Sequence, residues 1–212
     1  DGKTGYFIDT SDWTRKDVRW QEFSKAVRSK RQVWANGKFD IKLFLETGIP
    51  RDHLHIDWDV VSCAHVLNEL TLKNGLKTST WLYTQFGGYD HKFDICMKLF
   101  GSVENIPKDY VIEYATKDAI VTFMVYRGQD ADLTRIDAEF PNHIENGWSL
   151  RDYYYHAMLP ATNMFLDIEY RGMLIDESKI AEASVELTKK ADDLKRQILE
   201  MLGVLDPEFN LD

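Results

Sequence analysis

The sequence lacks several features that would assign it to a common class of protein. No apolar run approaches the roughly 20 residues that a membrane-spanning helix needs, so no membrane segment is predicted. The only two cysteines, Cys63 and Cys96, lie in apolar helical patterns, which excludes a disulfide framework and favours reduced core thiols in a cytosolic protein. No cysteine pair or second histidine pair accompanies His53, His55 and His65 at zinc-ligand spacing, so no zinc site is predicted.

The sequence also has no signal-peptide pattern, no internal repeat and no low-complexity segment, and it does not begin with Met. We therefore expect a fragment or a processed form of a longer protein. Hydrophobic residues make up 44% and aromatic residues 13% of the 212 residues, which is enough to build a core. This length allows one large domain, or one medium domain with an appendage.

The net charge is −9, from 26 basic and 35 acidic residues. Such an excess of acids opposes nonspecific binding to nucleic acid. A metal-dependent nuclease is an exception, because its carboxylates hold the cations that meet the phosphate. Residues 12–31 predict a locally basic amphipathic helix, for which we favour a solvated face over a DNA-binding patch.

Two short stretches, residues 5–10 and 32–36, have the composition of β-strands. The second runs directly into a helix predicted over residues 38–47, so Asp40 falls in the first turn of a helix at the end of a strand. Functional groups of α/β folds gather at that place. An acid in a first helical turn also has a simpler role, since it complements the helix dipole.

Further helices are predicted near residues 79–86, 89–100 and 107–127. Asp59 is expected to cap the helix that follows it, and for Asp57 and Asp59 we prefer capping to metal binding. The helix over residues 107–127 begins after a proline, as many helices do.

Tyr114 and Asp118 are four residues apart on this last helix, so they share one face, while another face is apolar. A phenol and a carboxylate on one stripe of an otherwise apolar helix indicate a site rather than a solvated surface. A polar, acidic linker is predicted at 128–148. Ser149 is expected to cap the next helix and Pro160 to kink it.

The chain ends in a long charged helix that Asp176 is expected to cap. Its apolar positions are sparse, which predicts that it packs against something only partly contained in this sequence. Tyr153, Tyr154 and Tyr155 are expected to serve packing rather than base stacking.

Several of these segments resemble family A (polymerase I-like) DNA polymerases. Residues 36–40 (Asn-Gly-Lys-Phe-Asp) resemble the second exonuclease motif of the 3′→5′ proofreading domain, and residues 114–118 (Tyr-Ala-Thr-Lys-Asp) resemble the third. Leu159-Pro160 with residues 168–176 resembles the opening of the polymerase domain, and Phe209-Asn210-Leu211 resembles the motif that follows it. Together these motifs stand in the order and at the intervals of the family.

The resemblance implies an α/β, RNase H-like (DnaQ-like) exonuclease fold over residues 1–127, then the linker 128–148 and the helical start of a polymerase domain over 149–212. The family's first motif, Asp-x-Glu on the first strand, is absent. Asp9-Thr10-Ser11 has Ser where Glu is needed and lies too close to Asp40. We therefore expect residues 5–10 to be the third strand of the sheet, with Asp9 at its exposed end and the first two strands truncated or supplied from elsewhere.

The resemblance further implies a catalytic site that hydrolyses DNA with two Mg²⁺ or Mn²⁺ ions about 4 Å apart. Asp40 and Asp118 would bind the metal, and Tyr114 would orient the attacking water. Asn36 and Phe39 would hold the single-stranded 3′ end of the DNA. The implied partners are DNA and the remainder of the polymerase chain, in the cytoplasm of a bacterial or phage-infected cell.

Two carboxylates are too few to hold both ions, so we expect this chain alone to have little or no exonuclease activity. Two alternatives remain open. The first is a catalytically dead exonuclease fold retained as a scaffold or DNA-binding module. The second is a helical interaction protein whose motif matches are accidental, which predicts no central sheet.

Overall fold

The computed structural model describes residues 2–14, 17–70, 73–141 and 147–203, in two compact units that divide between Tyr170 and Arg171. No helix in these ranges is long and apolar enough to cross a membrane. The elements of the first unit, in chain order, are α1 (Val18–Arg28), β1 (Val33–Trp34), α2 (Gly37–Glu46), a 3₁₀ turn (Arg51–His53), β2 (Trp58–Asp59), α3 (Val60–Leu67), α4 (Leu76–Tyr83), α5 (His91–Phe100), a 3₁₀ turn (Val103–Asn105), α6 (Lys108–Glu139), α7 (Leu150–Tyr153), a π turn (Tyr154–Met158) and α8 (Leu159–Arg171).

The strands β1 and β2 form a parallel pair, in which Val33 lies opposite Trp58 and Trp34 opposite Asp59. The chain between them passes through α2, as a parallel connection requires. These are the only strands in the part of the chain that the structure describes. The described part of the chain is mainly helical with one short strand pair, so it does not show the predicted RNase H-like sheet.

The strand predicted over residues 5–10 is wrong, because this segment has no regular secondary structure and pairs with no strand in the described ranges. It lies along α6 and runs in the opposite direction. Gly5 is so close to Thr116 that a Cβ on it would lie 2.5 Å from that side chain, and Asp9 forms an ion pair with Lys108. Tyr6 is 85% exposed, so the segment offers apolar surface that a sheet would bury.

The helix predicted over residues 107–127 continues to Glu139, into the segment predicted as a linker, and the two compact units divide after Tyr170. Gly128 lies inside α6, where it allows the ring of Tyr83 to approach: a Cβ at this position would be 2.3 Å from Tyr83 Cδ1. The glycine therefore marks close packing between α4 and α6 rather than the end of a helix.

Trp58 lies at the centre of the core and is fully buried. Its ring packs edge-on against Tyr126 and Tyr154, with centroids 5.0 and 4.7 Å away, and its Nε1 donates to Gln129 Oε1 at 3.1 Å. Tyr154 thus serves packing, as predicted. The same core cluster contains Cys63 and side chains from α2, α6 and α8.

Ser149 caps α7 as predicted, in a capping box with Asp152. The helix then widens into the π turn, where Leu159 N donates to the carbonyl of Tyr154, and Pro160 follows at once. A proline ring collides with the carbonyl four residues earlier in a regular helix, and the wider turn relieves this collision. The helical path therefore accommodates Pro160 through the π turn.

The second unit contains α9 (Glu177–Leu202). Asp176 caps this helix as predicted, since its side chain accepts hydrogen bonds from the backbone N–H groups of Ser178 and Lys179. Phe209-Asn210-Leu211 lies outside the described residues.

Candidate functional site

Asp40 is positioned by a tight turn between β1 and α2. Asn36 adopts the left-handed conformation, with φ 61° and ψ 49°, which Asn tolerates better than most residues. Gly37 follows, packed so closely on Trp34 that a Cβ would lie 2.5 Å from the Cβ of the tryptophan. Only glycine fits there without displacing Trp34, so the local sequence determines the start of α2 and the position of Asp40 in its first turn.

Asp59 holds this turn against the second strand. Its Oδ2 accepts a hydrogen bond from Gly37 N at 2.8 Å, and its Oδ1 accepts from Val61 N at 2.9 Å and Ser62 N at 3.2 Å. The residue is only 2% exposed. The capping role predicted for Asp59 is confirmed, and its carboxylate is occupied by backbone donors of both helices.

Asp118 projects from α6, beside two aromatic rings. Tyr89, which precedes α5, donates a hydrogen bond from its hydroxyl to Asp118 Oδ1. Tyr114, one turn before Asp118, is stacked on Phe93 at 4.0 Å and on Tyr89 at 5.9 Å. The aromatic stack therefore fixes both the phenol and the carboxylate that the sequence places on one helical face.

Asp40, Tyr114 and Asp118 line one cavity of about 870 Å³. The strand residues Val33, Trp34 and Ala35 line the same cavity, together with the apolar stripe of α6. The structure thus brings the two carboxyl groups to a common space beside the parallel strand pair.

Burial raises the pKa of Asp40, and the negative charges of Asp118 and Asp59 raise it further. Burial also raises the pKa of Asp118, although the hydrogen bond from Tyr89 and the charge of Lys77 act in the opposite direction. Each carboxyl group therefore resists ionisation. A cation between them would relieve both the burial cost and the repulsion.

The carboxylate oxygens of this cavity are of the kind that hard cations bind, but there are too few of them. Carboxylate oxygens are the ligands that Mg²⁺ and Mn²⁺ prefer. Within the described residues, however, no group of three or more His, Cys, Asp and Glu side chains could hold a metal ion. Asp9 does not supply a third carboxylate, because it forms an ion pair with Lys108. Lys108 lies ten residues before Asp118, which is about 15 Å along α6.

Asn36 and Phe39 are both exposed, and Phe39 retains 59% of its accessible surface. Neither is among the residues that line the cavity. Their substrate-binding roles stay predictions, as do the roles of Asp40, Tyr114 and Asp118.

Sequence reasoning missed two residues of this site. Tyr89 contacts Asp118 across 29 positions, and Arg31 lines the cavity from the chain before β1. Neither stands in a motif or at a helical spacing from the predicted site residues. Both contacts arise from packing between separate elements, which a single sequence does not display.

Almost the whole of this chain is similar to part of a known protein. It is 25% identical over 200 residues to a DNA polymerase from Escherichia phage T5. That match covers 92% of this chain and 23% of the relative, so the chain spans about a quarter of the relative's length. No family model matches the chain, and no solved structure gives a significant match. The chain is therefore related to a phage DNA polymerase.

Proposed function

We propose that this chain is the part of a DNA polymerase that carries most of a 3′→5′ proofreading exonuclease domain. The substrate would be the single-stranded 3′ end of DNA, and the reaction would be hydrolysis of its terminal phosphodiester. The observation that supports this proposal is the shared cavity of Asp40 and Asp118. Their motifs are 78 residues apart in sequence, yet both side chains face the space beside β1.

In the proposed reaction, Asp40 and Asp118 would each supply oxygen ligands to Mg²⁺ or Mn²⁺. When bound, two such ions stabilise negative charge on the attacking and leaving oxygens. Tyr114 would orient the attacking water through its hydroxyl, and its stacked ring would limit the positions of that group. Asn36 and Phe39 would hold the frayed DNA end from the exposed turn above the cavity.

We further propose that the missing ligands come from the rest of the polymerase chain. In the described ranges, β1 pairs with β2 alone, and residues of β1 line the cavity. A two-stranded sheet is marginal, and parallel sheets are normally extended and covered on both faces. An added strand beside β1 would complete the sheet and could bring further carboxylates to Asp40 and Asp118.

The test has two parts. The purified chain, given a single-stranded oligonucleotide and Mg²⁺, should show little or no degradation. In the complete polymerase, Asp40→Ala and Asp118→Ala should abolish exonuclease activity and leave DNA synthesis intact, and Tyr114→Phe should reduce the exonuclease rate. Exonuclease activity that survives both alanine substitutions in the polymerase would contradict the proposed function.

The second candidate is an exonuclease fold that serves only as a scaffold or DNA-binding module. The hydrogen bond from Tyr89 to Asp118 favours it, because this bond occupies an oxygen that a metal would use. Titration of the polymerase with Mn²⁺ separates the two candidates. If Asp40→Ala loses Mn²⁺ binding that the wild type shows, the nuclease is supported. If Asp40→Ala binds Mn²⁺ as the wild type does, the scaffold is supported.

A further inference from the structure

Arg31 connects the carboxylate cavity to a second groove. It lines the cavity that contains Asp40 and Asp118, and it also lines a groove of about 460 Å³ on its other side. Arg28 and Lys30 lie on that second groove as well. An extended ligand that followed this path would pass Arg31 on its way to the two carboxyl groups.

The guanidinium of Arg31 is fixed by neutral groups. Its Nη1 donates to the Tyr126 hydroxyl at 2.9 Å, and its Nη2 donates to the Tyr155 hydroxyl. Its central carbon lies 5.0 Å from the ring of Tyr126, 5.8 Å from Trp58 and 5.9 Å from Tyr155. These contacts orient the group without neutralising its charge.

Arg31 differs in this respect from most arginines of the first unit. Arg19, Arg28, Arg51, Arg135 and Arg151 each have a carboxylate within 4.0 Å. Among the residues that the structure describes, no carboxylate lies that close to Arg31. The described arginines of the basic segment 12–31 therefore fall into two groups. Arg19 and Arg28 pair with acids, as residues on a solvated face would, whereas Arg31 lies beside a cavity without a carboxylate partner among the described residues.

The surroundings favour one kind of ligand. A net charge of −9 repels anions in general, so an anion would need a local, well-oriented cation. A planar guanidinium suits the paired oxygens of a phosphate. A free phosphate ion would contact only one point of the cavity and groove, whereas a polynucleotide is long enough to contact both. The acid on the groove, Asp57, is itself engaged, because its Oδ2 accepts a hydrogen bond from Gln32 N at 2.7 Å and lies 3.0 Å from His55 Nε2.

We propose that Arg31 binds a backbone phosphate of single-stranded DNA whose 3′ end lies at Asp40 and Asp118. This inference rests on the proposed function, since it takes the DNA end to lie in the carboxylate cavity. Arg31 is a positioning residue in this account: it holds the strand and takes no part in bond cleavage. Tyr126 and Tyr155 support it by fixing the guanidinium.

The test measures binding without catalysis. A fluorescently labelled oligothymidine is titrated with the full chain in EDTA, at several NaCl concentrations. Arg31→Gln should weaken binding about fivefold to tenfold and should make the slope of log K against log [NaCl] shallower by about 0.7, because one phosphate contact is lost. The matched control is Arg135→Gln, whose arginine pairs with Asp132 and Glu139 on exposed surface.

Two further variants separate charge from orientation. Tyr155→Phe keeps the cation but frees it, so affinity should fall while the salt slope stays unchanged. Arg31→Lys keeps the charge but loses the planar donor pair, so it should bind more weakly than wild type even if Arg31→Gln fails to fold. The inference is overturned if wild type does not bind the oligothymidine, or if folded Arg31 variants bind with the affinity and slope of wild type.

Failure of this inference is distinguishable from failure of the proposed function. In EDTA, the comparison of wild type with the Arg31 variants reports on the phosphate contact of Arg31 and not on metal binding or catalysis. Loss of exonuclease activity on Asp118→Ala in the polymerase reports on the carboxylates. Normal binding by Arg31→Gln together with a dead Asp118→Ala enzyme would remove the phosphate site and keep the nuclease.

Discussion

The hydroxyl of Tyr89 donates a hydrogen bond to Asp118, and the same tyrosine stacks on Tyr114. One side chain thus contacts both residues that the sequence places on a single face of α6. Burial raises the pKa of Asp118, and the hydrogen bond from Tyr89 opposes this rise because it favours the ionised carboxylate.

Tyr89→Phe should therefore raise the pKa of Asp118 further. In a polymerase with the proposed exonuclease activity, the rising limb of the pH–rate profile should move to higher pH, since the reaction needs the ionised carboxylate. Tyr110→Phe is the control, because that ring lies under Lys92 and away from Asp118. Identical profiles for wild type and Tyr89→Phe would show that the hydrogen bond does not tune the site.

Asp40→Asn should stabilise the isolated chain at neutral pH. The folded pKa of Asp40 is raised, so the folded state binds its proton more tightly than the unfolded state does. The contribution of Asp40 to the free energy of unfolding is present below the ordinary carboxyl pKa and is lost as pH rises through the folded pKa. At pH 7.5 the variant should gain on the order of 1 kcal/mol, or about 2–4 °C in Tm.

This gain should disappear near pH 3, where Asp40 is protonated in both states. Glu22→Gln, on the exposed surface of α1, should leave Tm unchanged at both pH values. Thermal unfolding followed by circular dichroism provides the measurement. A lower Tm for Asp40→Asn at pH 7.5 would contradict the assignment of repulsion to the carboxylate cavity.

Gly37→Ala should destabilise the fold by about 2–3 kcal/mol, because the added methyl group would lie 2.5 Å from Trp34 Cβ. The matched control is Gly75→Ala, where nothing lies within 4 Å of the added atom, and its cost should stay within about 1 kcal/mol. Urea unfolding measures both. Equal costs for the two substitutions would show that the turn before α2 can relax away from Trp34.

Gln129→Leu should cost about 3 kcal/mol. Gln129 is fully buried; its Oε1 accepts from Trp58 Nε1 at 3.1 Å, and its Nε2 donates to the carbonyl of Val60 at 2.8 Å. Leucine leaves the buried Nε1 of Trp58 without its acceptor and removes the side-chain hydrogen bond to the Val60 carbonyl. Gln21→Leu on exposed surface serves as the control, and a similar urea midpoint for both variants would contradict the polar network.

The sequence predicted those features that depend on neighbouring residues. The caps at Asp59, Ser149 and Asp176 use a side-chain oxygen and N–H groups two or three positions later, so the signal is complete within one short segment. Gly101 ends α5 in the left-handed conformation, directly after the helix predicted over residues 89–100.

Features that depend on distant contacts were missed. Gly128 suggested a helix end, but its lack of a side chain makes room for Tyr83 from another helix. Residues 5–10 have strand composition, yet a strand forms only when a neighbour provides hydrogen bonds. The resemblance of both motifs to parts of a known arrangement predicted that Asp40 and Asp118 would lie near each other, and both side chains line one cavity. Their roles stay predictions.

The course of α6 through the core has a practical consequence for anyone who wishes to shorten this protein. A truncation after residue 127 would cut α6 and remove Gln129, Leu133 and Tyr154, leaving the indole of Trp58 open to water. Such a product is expected to aggregate. A C-terminal truncation that keeps every buried member of the core cluster ends no earlier than Leu166.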